Sequence, residues 1–161
     1  MDVRRVTVDD ADALAALNAV VQDLHVAERP ELFLPADPSR VAAWFREVLE
    51  GDDARAWIAE ADGAPVGYLL AFHERRPANP FARERRWCEI DQVSVVEGAR
   101  GRGVARALID AAVVDAEASG FDRVELAAWT FNERARRAFE RIGFVPMMVR
   151  FERKRRAGRE S

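Results

Sequence analysis

The sequence predicts an α/β domain with one mixed sheet and helices on both of its faces. Three observations predict it: two helical apolar patterns before residue 51, β-compatible apolar runs between 56 and 96, and a strand, glycine loop, helix, strand order between 87 and 129. A chain of 161 residues fits one domain spanning 1–161 and buries about 70% of its unfolded surface.

Leu14, Leu17, Val21 and Leu24 recur at helical spacing after Asp9 and Asp10. Carboxylates there suit the free N–H groups of a helix start. Asp37 followed by Pro38 reads as an N-cap with proline at the first helical position. Val41, Trp44, Phe45, Val48 and Leu49 then line one face of a second helix that Gly51 ends. Between the two, residues 27–36 carry two prolines and the apolar Leu32, Phe33 and Leu34, which makes a loop with apolar side chains to bury.

Residues 56–61 and 66–73 are apolar runs separated by Asp62-Gly63-Ala64-Pro65, the signature of a hairpin. The charged, proline-containing stretch 75–86 reads as a loop, and 87–96 as a third strand. A glycine-rich turn follows, then a helix on Val104, Leu108, Ile109, Ala112, Val113 and Ala116 ending at Gly120. A strand over 123–129 closes a parallel unit, Asn132 caps a last helix stopped by Gly143, and 144–151 is strand-like.

Composition narrows the function classes. Hydrophobic residues make up 49% and charged residues 33%, a balance that excludes disordered and fibrous chains. Cys88 is the single cysteine, so no intrachain disulfide forms, and no Cys/His cluster offers a zinc site. No metal is expected. No apolar run reaches the roughly 20 residues of a membrane helix, and the start has no apolar signal core, so the expected location is the cytoplasm with no membrane partner. A net charge of -3 exerts no general pull toward nucleic acid, although the tail 152–161 is basic.

The turn Arg100-Gly101-Arg102-Gly103 joins a strand to a helix, and such a junction presents unpaired backbone N–H groups and a helix dipole to an anion. It is neither a P-loop, since no Gly-Lys-Ser/Thr follows, nor a dinucleotide fingerprint, since G-x-G-x-x-G is absent. A tight helix start without ligand would use the same residues.

Arg100-Gly101-Arg102-Gly103-Val104-Ala105 resembles the (Q/R)-x-x-G-x-(G/A) motif of the GNAT superfamily of acetyl-CoA-dependent N-acetyltransferases. The upstream Ile90-Asp91-Gln92-Val93-Ser94-Val95, the hairpin residues Pro65-Val66-Gly67-Tyr68 and the downstream Asn132, Ala135, Phe139, Gly143 and Phe144 are similar too. The resemblance implies a single GNAT-like domain, with a mostly antiparallel mixed sheet and a splayed pair of parallel strands. It further implies acetyl-CoA as cosubstrate, with its pyrophosphate on the N–H groups of Arg100, Gly101, Arg102, Gly103, Val104 and Ala105. Its pantetheine arm would lie along the backbone of Val93, Ser94 and Val95, with Asn132 as a further contact. Homodimers are common in the family.

The implied reaction moves acetyl to a primary amine of a small molecule or peptide by direct attack in a ternary complex. A CoA-binding module of the same fold without transfer is the alternative. The attacking ammonium must first lose a proton. Asp91 is the first choice for that base, Glu89 the second, and His73 and His25 stand behind them. Strand alternation puts 89 and 91 on one face unless a bulge intervenes. The family usually places a tyrosine acid where this chain has Phe139, and Tyr68, its only tyrosine, reads as a core ring with a tethered hydroxyl.

Overall fold

The structure is a computed structural model that describes residues 1–153. The basic tail from residue 154 lies outside the described residues. The chain forms two compact units, residues 1–127 and those from 128 onward.

The first unit holds, in chain order, β1 (Asp2–Arg5), α1 (Ala11–Glu28), α2 (Pro38–Leu49), β2 (Ala54–Ala61), β3 (Ala64–Arg76), β4 (Arg85–Val95), α3 (Val104–Ala118) and β5 (Val124–Leu126). The sheet runs β1-β2-β3-β4-β5. Its first four strands are antiparallel, and β5 lies parallel to β4 after the α3 crossover. The mixed sheet expected from sequence is therefore present, including the parallel pair.

Period-two alternation divides the core between the two faces. Ala54, Ala56, Ile58, Tyr68 and Leu70 pack with Leu14, Leu17, Ala42 and Phe45 of α1 and α2. The alternate residues Trp57, Ala59, Leu69 and Ala71 are equally buried and face the apolar stripe Val104, Leu108, Ile109, Ala112 and Ala116 of α3. Helices thus cover both faces. The approach is closest at Gly67, where a Cβ would sit 2.8 Å from the Ser94 carbonyl oxygen and 3.0 Å from Val104 Cγ1.

Local signals set the helix ends. Asp37 Oδ1 accepts from the Arg40 N–H at 3.1 Å with Pro38 at the first helical position, as the sequence predicts. Asp10 Oδ2 accepts from the Thr7 N–H at 2.8 Å while Arg4 bridges Asp10 and Glu60 at 2.7 and 2.8 Å. Those bonds, the Arg4 guanidinium first, hold the Asp10 carboxyl down at about 2.

Strand lengths depart from the sequence reading in instructive ways. β1 was not foreseen. β3 and β4 extend to Arg76 and back to Arg85, so the loop expected over 75–86 shrinks to 77–84. β5 covers three residues where 123–129 was expected, because β4 offers it partners only at Cys88, Glu89 and Ile90.

In the second unit, α4 (Glu133–Ile142) starts at Asn132, whose side chain accepts from the Ala135 N–H at 3.2 Å, and ends at Gly143 with φ 119°. Residues 144–151 form no strand here. Pro146 brings no N–H to a ladder, and Val145, Met147, Met148, Val149 and Phe151 remain exposed, so the burial that stabilises a strand is missing.

Candidate active site

β4 carries the site, and a bulge decides its layout. Leu70 pairs with Gln92 and Ala71 with Ile90, leaving Asp91 as the extra residue. Before it, Cys88 and Ile90 share the α3 face with Ala71, while Arg85, Trp87 and Glu89 share the opposite face with Phe72 and Glu74. After it the parity reverses, and Gln92 and Ser94 join the α1/α2 face. Ser94 Oγ donates to the Leu17 carbonyl at 2.9 Å there.

The parallel pair stops at the bulge. β5 follows β4 through Ile90, opposite Leu126, and no further. The Val96 N–H donates back to Val66 O at 2.9 Å, so alternation turns the backbone of Ser94 toward β3 and that of Val93 and Val95 outward. Val95 O meets Arg100 Nε at 3.1 Å on that outer side. Of the three residues expected to line a pantetheine arm, Val93 and Val95 present backbone groups outward and Ser94 does not.

This outward edge leads into the glycine turn. Gly101 and Gly103 take φ of 75° and 81°, and no atom beyond their chain neighbours lies within 4 Å of where a Cβ would stand on either. The first intrahelical bond of α3 runs from Ala107 N–H to Gly103 O, so the amides of Val104 and Ala105 precede it. Two left-handed glycines beside Arg100 and Arg102 leave this backbone uncrowded at the N-terminal end of α3, where free amides and the helix dipole favour an anion.

Glu89 and Glu125 face each other directly where the strands part. Glu125 is ion-paired with Arg85, whose guanidinium stacks 4.4 Å from the Trp87 ring centre. The Trp87 indole N–H donates to Glu89 Oε2 at 2.9 Å. Burial pushes the Glu89 carboxyl above its ordinary value, the Trp87 bond opposes this, and the charges of Glu125, Asp91 and Glu74 add to it. Asp91 is exposed and accepts from Gln92 Nε2 at 3.1 Å. The two carboxylates picked from sequence thus lie on either side of the strand parting, in different environments.

The other titratable candidates are engaged elsewhere. His73 Nε2 lies on the α3 face, 3.6 Å from Asp115 Oδ2, with its ring 4.2 Å from Phe121. His25 stacks on Phe33 at 4.8 Å. Tyr68 is fully buried, and its hydroxyl accepts from Asn18 Nδ2 at 2.9 Å and donates to Gln92 Oε1 at 2.6 Å. Burial raises its pKa far beyond the usual tyrosine value. Cys88 is fully buried, and its thiol is pushed up to about 11. Trp87, Gln92, Asn18 and Glu125 were missed in sequence. Parity would have found Trp87, two residues before Glu89, but the bulge hid Gln92.

Among the described residues, no helix is long and apolar enough to cross a membrane, and no group of three His, Cys, Asp or Glu is placed to hold a metal.

The sequence model of the Acetyltransferase (GNAT) family matches residues 18–144. A mycothiol acetyltransferase of Beutenbergia cavernae is 48% identical over 106 residues, covering 66% of this chain and 31% of the relative. One of Propionibacterium freudenreichii is 30% identical over 137 residues, covering 84% and 40%. The chain therefore spans less than half the length of these curated relatives. Among solved structures, the tetramutant of the BH1408 protein from Bacillus halodurans is 27% identical with a TM-score of 0.86, covering 96% of this chain and 99% of that one. The aminoglycoside N-acetyltransferase AAC(6')-Iy in complex with CoA shares the fold, at 19% identity and a TM-score of 0.77 over 97% of this chain and 95% of that one. The parted strands, the glycine cradle and these matches have one explanation: the chain belongs to the GNAT family of acetyltransferases.

Proposed function

We propose that this chain transfers an acetyl group from acetyl-CoA to a primary amine of a small molecule or peptide by direct attack in a ternary complex. The observation that carries the reading is the continuous path from the parted strands, past Val93 and Val95, to the glycine turn at the start of α3. Arg100, Gly101, Arg102, Gly103, Val104 and Ala105 would hold the pyrophosphate of CoA, which supplies the activated acetyl thioester when bound. A role for Asn132 toward CoA rests on the resemblance alone.

Glu89 is the better-suited base. It sits one residue before the end of the parallel pair, burial raises its carboxyl above the ordinary value, and Trp87 fixes its direction. Asp91, exposed one residue beyond the parting, would receive the acceptor as an ammonium ion. The outward N–H groups of Val93 and Val95 supply donors for charge developing on the carbonyl oxygen. Direct attack is favoured over an acyl-enzyme because Cys88 is inaccessible and weakly acidic. Tyr68 is too buried to protonate the departing thiolate and Phe139 has no proton to give, so water takes that part. The lone buried cysteine agrees with a cytoplasmic location, and the assembly is proposed to be a homodimer, as is common in the family.

Mass spectrometry tests this directly. The protein is incubated with acetyl-CoA and a panel of amino sugars, aminoglycosides, polyamines, amino acids and peptides. Acetylated amine is expected for at least one class. CoA binding with no acetylated product across the panel would favour the module without transfer.

A further inference from the structure

A chain of hydrogen bonds runs from the core to the bulge. Asn18 of α1 uses its amide nitrogen as donor to Tyr68 Oη at 2.9 Å and to Gln92 Oε1 at 3.3 Å. Tyr68 Oη, having accepted from Asn18, donates to Gln92 Oε1 at 2.6 Å. Gln92 Nε2 then donates to Asp91 Oδ2 at 3.1 Å. The carboxylate only accepts, and the hydroxyl has one proton, so the donor order is fixed along the whole chain.

We infer that Gln92 is a positioning residue, locked by Tyr68 and Asn18 so that its amide always presents an N–H donor to Asp91 at the parting of β4 and β5. The inference rests on the transferase reading and deepens it. Two acceptances at Oε1 exclude the flipped amide, which would set a donor against the Asn18 amide and an oxygen against the Asp91 carboxylate. The lock matters because Asp91 is the extra residue of a bulge and has no cross-strand partner to hold its backbone direction. A side chain anchored in the core supplies that restraint from the next residue. Tyr68 thus acts on the acceptor at a distance, through orientation of Asp91, while its own proton stays inside the protein.

The test is a double-mutant cycle on kcat/KM for the best amine acceptor, together with exchange of the Gln92 side-chain amide protons measured by NMR. Tyr68→Phe and Gln92→Met are each expected to raise the acceptor KM about fivefold, with kcat and calorimetric CoA affinity changed less than about twofold. In an Asp91→Asn background, Tyr68→Phe is expected to cost less than about twofold more. An equal loss in both backgrounds would show that Tyr68 acts as core packing alone and would overturn the inference. The amide protons should exchange at least about tenfold more slowly in the wild type than in Tyr68→Phe. A Gln92 amide that exchanges freely in the wild type would remove the lock whether or not any amine turns over. A slow amide in a protein that acetylates no amine would leave the lock standing while sinking the transferase reading, and with it the role given to Gln92.

Discussion

Glu89 owes its character to where the chain places it. A glutamate at the end of a parallel pair, half-buried beside an indole and opposite a second glutamate, holds its proton more tightly than one in water. A base works once ionised, so activity should rise as pH climbs through a midpoint above the ordinary glutamate value. Glu89→Gln should lower kcat by about 10²- to 10⁴-fold and remove that acidic limb, with CoA affinity intact. Replacing Trp87 by Phe deletes the one bond that opposes the upward shift, so the limb should move to higher pH. Gly67 sets a different requirement. Gly67→Ala drives a methyl toward a carbonyl and a valine at once, and should destabilise the fold by about 1–3 kcal/mol in urea unfolding.

Among the elements, β4 and α3 carry the proposed site, and both were only partly legible. Apolar runs, glycines and caps placed the strands and helices, because burial and N–H satisfaction are local demands that residue type announces. The Asp91 bulge is not local. It arises from the register of β4 on β3, so strand parity alone put Glu89 and Asp91 in one setting and left Gln92 unnoticed. At the start of α3 the requirement is conformational again. Gly103→Ala forces an L-residue to φ near 81° and should weaken CoA binding roughly tenfold, by about 1–2 kcal/mol, measured by calorimetry.

The far end of α3 predicts a pH response. His73 faces Asp115 of α3, with Arg5, Arg55, Asp53 and Cys88 around it. Burial, the largest cause, depresses its pKa below 6.5, and Arg55 adds to this while Asp115 opposes it. The unfolded chain therefore binds a proton that the native chain resists. Stability should fall as pH drops from about 6.5 through the lower native midpoint, and His73→Gln should flatten that slope in thermal melts. A slope unchanged by the substitution would mean that another group carries it.

For the whole molecule, net charge and composition excluded classes without choosing one, whereas the motif at 100–105 and the order of elements around it identified the family from residues alone. The acceptor stayed illegible because no motif in the chain announces an amine, and the loops at 27–36 and 77–84 carry no residue spacing tied to one acceptor chemistry. The central claim is that acetyl moves from CoA to an amine at the parting of β4 and β5. The most direct test is thiol release from acetyl-CoA with the best acceptor, followed across pH for the wild type, Glu89→Gln and Asp91→Asn. Acceptor-dependent release is predicted, with an acidic limb that vanishes in Glu89→Gln and an acceptor KM that rises in Asp91→Asn. Release that ignores the acceptor, or a Glu89→Gln protein as active as the wild type with the same limb, would contradict it.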